Sequence, residues 1–236
     1  MKKILPLALI VVLIILWFGR TPPCGVVIEE KGLPVVYFYG GTSKEMVQVA
    51  FDPEMEIVVA RSFGGWKVSS IYSLAKNENL GEALVAETIR HNLLLPAKAV
   101  QLVSIDGVKF MLARLKYAKN TKVINLSSVT GEGADNLYLE VKSTIFSGPN
   151  NFSASIVYRA YDSEVLEKSQ KLIESLGFNV FYIKKDNLDA DLVCRITGPK
   201  RLVSAWVRST FPDCQRVFDK SDSLTFEFGE KYANTF

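Results

Sequence analysis

Five charged side chains in this sequence are of types that could do chemistry: Arg61, Arg90 and Arg114 as cations, and Asp52 and Asp106 as carboxylates. An arginine fork matches phosphate oxygens, a carboxylate can hold magnesium, and a base can activate an acceptor hydroxyl. Gathered at one place, these groups would suit transfer of a phosphate-linked group. Their spacing forms no dense motif. Asp52, just before Pro53, also reads as a turn former, and Asp106 as a helix cap. Arg90 and Arg114 fall on helical stretches where a solvated face accounts for them. Arg61, at the end of a strand and the start of a loop, is the strongest of the five candidates.

Other chemistries find less support. Gly40-Gly41-Thr42-Ser43-Lys44 follows a strand but lacks the spacing of a phosphate loop, and Gly131-Glu132-Gly133 is weaker still. Ser69, Ser70 and His91 make no hydrolase, because no GxSxG elbow occurs and one histidine does not make a triad. Three cysteines without a CxxC pair, beside one histidine, exclude a zinc site, so no metal is expected. Cys194 and Cys214 can pair as a disulfide or stand as two buried thiols. Trp66, between Gly65 and Lys67, is a candidate for stacking on a sugar, whereas Trp206 reads as a core residue. The net charge of +3 is dispersed without a basic run, which argues against nucleic acid as a partner.

Position in the cell follows from the first twenty residues. Lys2 and Lys3 precede fifteen uninterrupted apolar residues, Ile4 to Phe18, then Gly19 and Arg20. The lysines favour the cytoplasmic side, so the remaining chain is expected across the membrane. Fifteen residues span roughly 22 Å as a helix, short of a hydrocarbon core of about 30 Å. That length suits a signal peptide, yet no small-x-small cleavage site follows Phe18. The expectation is a retained single-pass anchor over 1–20, N-terminus inside, with removal as the alternative. Prolines before Cys24 argue against a lipid-modified cysteine.

The elements that must position these residues point to an α/β (α+β) fold. After a tether over 21–32, entering a strand at Val26–Ile28, alternation and β-branching predict strands at Val35–Tyr39, Met46–Phe51 and Glu56–Arg61, the last two as a hairpin. Residues 61–66 read as a loop and Val68–Ala75 as a short helix. A 3.6-residue period predicts an amphipathic helix over Leu80–Leu94, capped by Asn79 and stopped by Pro96, with Glu82, Glu87 and Arg90 facing away from its apolar side. A strand at Ala99–Ser104 and a helix from Asp106 to Leu115 follow. Lys119–Asn136 reads as polar loop and Leu137–Phe146 as a last strand. The cluster Ser147–Asn151 then closes a mixed-sheet α/β domain over 33–150. The rest, 151–236, reads as a small domain in the order βαββαββ: strands at Ser153–Tyr158, Phe178–Ile183, Leu192–Ile196, Gln215–Phe218 and Leu224–Phe228. Its helices fall at Ser163–Leu176, ended by Gly177, and from Pro199 to Ser209.

This last segment resembles the LytR C-terminal domain of envelope proteins of the LytR-CpsA-Psr group. The resemblance rests on the turn Leu176-Gly177-Phe178-Asn179-Val180, the helix Arg201–Val207, and the closing Leu224-Thr225-Phe226-Glu227-Phe228-Gly229-Glu230-Lys231-Tyr232. In place of that domain's usual Asn-Gly loop stands Tyr158-Arg159-Ala160-Tyr161. The preceding domain is similar to a shortened catalytic domain of the same group, over Met46–Arg61, Leu80–Leu94 and Ala99–Val108. Members of that group transfer glycopolymers from a polyprenyl diphosphate to the cell wall. Here Ser62 stands where the family's arginine is followed by aspartate, and its arginine-rich segment is not recognisable between Lys116 and Asn151. The resemblance therefore implies a pseudoenzyme: an anchored extracytoplasmic binding or scaffold protein of envelope assembly, with an envelope glycopolymer or envelope protein as partner. It implies, alternatively, an active transferase working near Arg61 with magnesium, or a protein-contact subunit of an envelope complex.

Overall fold

The computed structural model describes residues 24–40, 43–129, 132–145, 152–159, 163–189 and 191–235. The expected anchor and the expected boundary at 147–151 lie outside them, as do Gly41, Thr42 and Gly131. Among the described residues, no helix is long and apolar enough to cross a membrane.

The runs GVVI, PVVYFY and MVQVAF are apolar with little alternation, the pattern of strands covered on both faces. They form β1 (Cys24–Glu30), β2 (Leu33–Tyr39) and β3 (Met46–Phe51), an antiparallel meander at the centre of a five-stranded sheet. Its edges are β6 (Ala97–Ala99), parallel to β1, and β7 (Thr121–Leu126), parallel to β3. One face, with Val27, Val36, Phe38, Val47 and Val49, packs on helices α2 (Gly81–Leu93) and α4 (Glu132–Ile145). The other, with Val26, Tyr37, Tyr39 and Met46, packs on Phe110, Ala113 and Tyr117 of α3 (Ile105–Tyr117).

Several expectations are corrected here. The strand expected at Val26–Ile28 runs longer, Cys24–Glu30, so most of the described part of the expected tether belongs to this sheet. β4 (Glu56–Val59) does not pair with β3 but with β5 (Gly64–Lys67), in a separate hairpin through residues expected as loop. Val68–Ser70 forms a 3-10 turn that leads into α1 (Ile71–Asn77). Leu80, not Asn79, is the cap of α2, without a side-chain bond. The strand expected at Ala99–Ser104 is short and earlier. Ser104, not Asp106, caps α3, its Oγ accepting from the Gly107 amide at 3.0 Å. β7 lies inside the expected polar loop, and residues 137–145 of the expected strand are part of α4.

The second sheet runs β11–β10–β12–β8–β9, built from β8 (Phe152–Tyr158), β9 (Phe178–Lys185), β10 (Cys194–Gly198), β11 (Gln215–Phe218) and β12 (Leu224–Phe228). With α5 (Ser163–Ser175) and α6 (Ala205–Thr210) the order is the expected βαββαββ. Strands β10 and β12 alternate buried and half-buried residues, so one face carries the core with Leu172, Ile173, Val207 and Phe211. Helix α6 starts late, capped by Ser204 rather than opening at Pro199. The Cys194 and Cys214 sulfurs are bonded, which decides between the two readings of that pair.

Candidate functional site

Helix α2 builds one wall of an open cleft. Two of its polar residues, Thr88 and Asn92, fasten the β4–β5 hairpin. The Ala60 amide donates to Thr88 Oγ1 at 3.2 Å, and Asn92 Nδ2 donates to the Val58 carbonyl at 2.7 Å. Fixed in this way, the hairpin turn places Arg61 above α2. Arg61 and Ser62 both take left-handed backbone angles, φ 63° and 62°, unusual for residues with a Cβ. Arg61 Nε then donates to Glu87 Oε2 at 2.8 Å, with the arginine side chain 44% exposed and the carboxylate 7%.

One turn along α2, Arg90 is buried rather than solvated. Burial lowers its pKa, while Glu87 and Asp213 favour its charge and Arg61 opposes it. Its Nη1 reaches the Ala97 carbonyl at 3.4 Å. The opposite wall comes from β6 and the start of α3. There Lys98 Nζ lies 2.5 Å from Asp106 Oδ2, and Lys109 Nζ lies 3.6 Å from Oδ1. The hydrogen bond from Lys98 is the main reason that Asp106 titrates below the ordinary carboxylate range. Pro212 and Asp213, ahead of Cys214, close the lip. The whole is an open cleft of about 870 Å³.

Two of the three candidate arginines, Arg61 and Arg90, therefore meet at one cleft together with Asp106. Arg114 does not. It lies on α3 against the other face of the sheet, 3.1 Å from Glu30 and over the Tyr37 ring. Asp52 accepts from the Glu54 amide and is a turn former. Trp66 is exposed on β5, its indole bonded to the Phe63 carbonyl, and does not line the cleft. Sequence reasoning missed Glu87, Lys98 and Asp213. The i,i+3 pair Glu87 and Arg90 was readable as a helical ion pair, whereas nothing local points to Lys98 or Asp213.

Much of the charge of the cleft is paired internally, Arg61 with Glu87 and Lys98 with Asp106, while Arg90 is buried in the field of Glu87 and Asp213. Its lining holds three cations, Arg61, Arg90 and Lys98, and four carboxylates, Glu82, Glu87, Asp106 and Asp213, a formal sum of −1. Magnesium, implied by the transferase reading, does not fit: Asp106 already faces two ammonium groups. Among the described residues no three metal-ligating side chains cluster. No family model matches the chain, and neither a curated protein nor a solved structure matches it significantly.

His91, next to Arg90 on α2, faces α5 instead. Burial first, then Arg90 and Lys168, push its pKa down to about 3. The folded histidine is therefore neutral, while the unfolded one protonates near pH 6.5. Because the unfolded state binds the extra proton, stability present above pH 6.5 is lost as pH falls toward 3. From pH 7 to pH 5 the loss is about 1–2 kcal/mol. Denaturant midpoints at the two pH values measure it, and His91→Gln should remove most of the difference.

Proposed function

We propose that the chain is a membrane-anchored, extracytoplasmic binding or scaffold component of envelope assembly, and not a transferase. One observation carries this reading: Arg61 and Lys98 are each paired with a carboxylate, Arg90 is buried in the field of Glu87 and Asp213, and the lining sums to −1. A diphosphate brings at least two negative charges of its own. It would have to break the Arg61–Glu87 and Lys98–Asp106 pairs and leave Glu87 buried without its partner. A neutral, hydroxyl-rich ligand meets no such cost, since it can share hydrogen bonds with charged groups already in place. The resemblance to the LytR-CpsA-Psr group adds the setting, a cell envelope, and the Cys194–Cys214 bond suits an oxidising compartment.

The test uses the full chain in lipid nanodiscs with a polyprenyl diphosphate and a neutral wall oligosaccharide as probes. The expected result is saturable binding of the oligosaccharide alone. Saturable diphosphate binding that Arg61→Ala reduces tenfold or more would instead establish the transferase reading.

A second reading, contact with an envelope protein, has an observation of its own. β9 is an edge strand of the second sheet, and Phe181 on it is 65% exposed, with Tyr182 and Ile183 beside it also exposed. An open edge with apolar side chains is a template for strand addition. The two readings are compatible, because this edge and the cleft share no residue.

A further inference from the structure

The helix α3 is apolar on two opposite sides. Phe110, Ala113 and Tyr117 point into the sheet, as the core requires. Turned away from them, Ile105, Val108, Met111, Leu112 and Leu115 form a continuous outward face, with Ile105 73% and Leu115 72% exposed. At 100° per residue these five fall within about 120° of one another, and no charged residue of the helix interrupts them. Isolated exposed apolar residues are ordinary, but an unbroken helical face of them marks a contact surface.

Three observations say what covers it. The first is charge. Residues 105–122 hold five basic side chains, Lys109, Arg114, Lys116, Lys119 and Lys122, against one acidic, Asp106, a sum of +4 when the whole chain carries +3. Counting Glu30 and Glu140, which pair with Arg114 and Lys122, the surface still sums to +2. The second is where the chain enters the fold. Cys24, the first residue of β1, is the register partner of Tyr39, and the Tyr39 ring lies 6.5 Å from that of Tyr117 at the C-terminal end of α3. The third is length. Only residues 19–23 separate the apolar run Ile4–Phe18 from Cys24, a reach of at most about 22 Å over six residue steps.

We propose that the outward face of α3 lies in the headgroup boundary of an anionic bilayer, apolar side chains inserted and the lysines at the lipid phosphates, so that the first sheet is held against the membrane. The proposal rests on the membrane-anchored reading above. It fits an interfacial helix, an apolar face bordered by basic residues, and a tether this short leaves the sheet little freedom to stand away from the lipid.

The experiment reconstitutes the full chain, with Cys24→Ser, in phosphatidylglycerol-containing vesicles that carry nitroxide-labelled lipids. A thiol-reactive fluorophore is placed at Leu112→Cys, or at Lys220→Cys, exposed on the second sheet's side, as a control. Quenching at position 112 is expected to exceed that at 220 at least threefold, and to fall to the control level when Val108→Glu and Leu115→Glu are added. Both added positions are solvent-facing, so these changes leave the core intact. Equal quenching at 112 and 220 in a chain that resists carbonate extraction overturns the proposal alone. Release of the chain by carbonate overturns it together with the anchored reading. A fluorophore at 112 shielded in detergent, with cross-linked dimers, overturns it in favour of a second copy.

Discussion

Glu87→Ala should destabilise the fold by about 3–5 kcal/mol, the cost of leaving a buried charge without its partner. The carboxylate sits between Arg61 and Arg90, bonded to the first and favouring the charge of the second. With it gone, a buried guanidinium faces a like charge from Arg61, with Asp213 as its remaining carboxylate. Arg90→Met should cost less, about 1–3 kcal/mol, because Glu87 keeps Arg61 and methionine fills much of the arginine's volume without a charge to desolvate. The double variant should then be no worse than Glu87→Ala alone. That sign of coupling separates a charge pair from two independent packing losses. Urea unfolding of the four proteins closes the cycle. A Glu87→Ala cost under 1 kcal/mol would mean that the cleft is wet enough to solvate Arg90, and a diphosphate would then meet little resistance there.

The burial of this pair has no local signature in the sequence. The period of α2 correctly put Leu84 and Ile89 on the core side and Glu87 and Arg90 away from it, but a helix covered on its second side buries that face too. The cover comes from Pro212 and Asp213, more than 120 residues later, and no local pattern announces it. Strands bracketed sharply by turn residues were legible: β3, β11 and β12 were expected at the bounds observed. The segment 137–146 misled because Leu137, Leu139 and Val141 alternate with Tyr138 and Glu140. The deciding period was instead Leu137, Val141 and Ile145, three buried residues four apart. β7 was hidden by its place at a sheet edge, where TKVINL can remain largely polar and exposed. Of the five chemical candidates, the loop position of Arg61 was the most informative. Its true signal was a strained hairpin turn, which composition does not encode.

Replacing both Cys194 and Cys214 by alanine should cost about 3 kcal/mol, from the entropy restored to an unfolded loop of about twenty residues. The separation is 20 residues, and the two cysteines immediately precede the paired residues Arg195 and Gln215 of β10 and β11, so the bond fastens an edge strand at its first rung. Both cysteines are buried, and alanine leaves no unsatisfied polar atom in their place. The effect should reach the cleft, because Asp213 precedes Cys214 and is held over Arg90 by the same bond. Reduction of the unaltered chain should reproduce the loss, measured as a fall in urea midpoint, while the alanine variant should not respond to reductant at all. Thiol titration of chain isolated under alkylating conditions adds the cellular meaning. One reactive thiol, Cys24, is expected from a protein folded outside the cytoplasm, whereas three would place its folding in a reducing compartment and remove the extracytoplasmic premise on which the proposed envelope role stands.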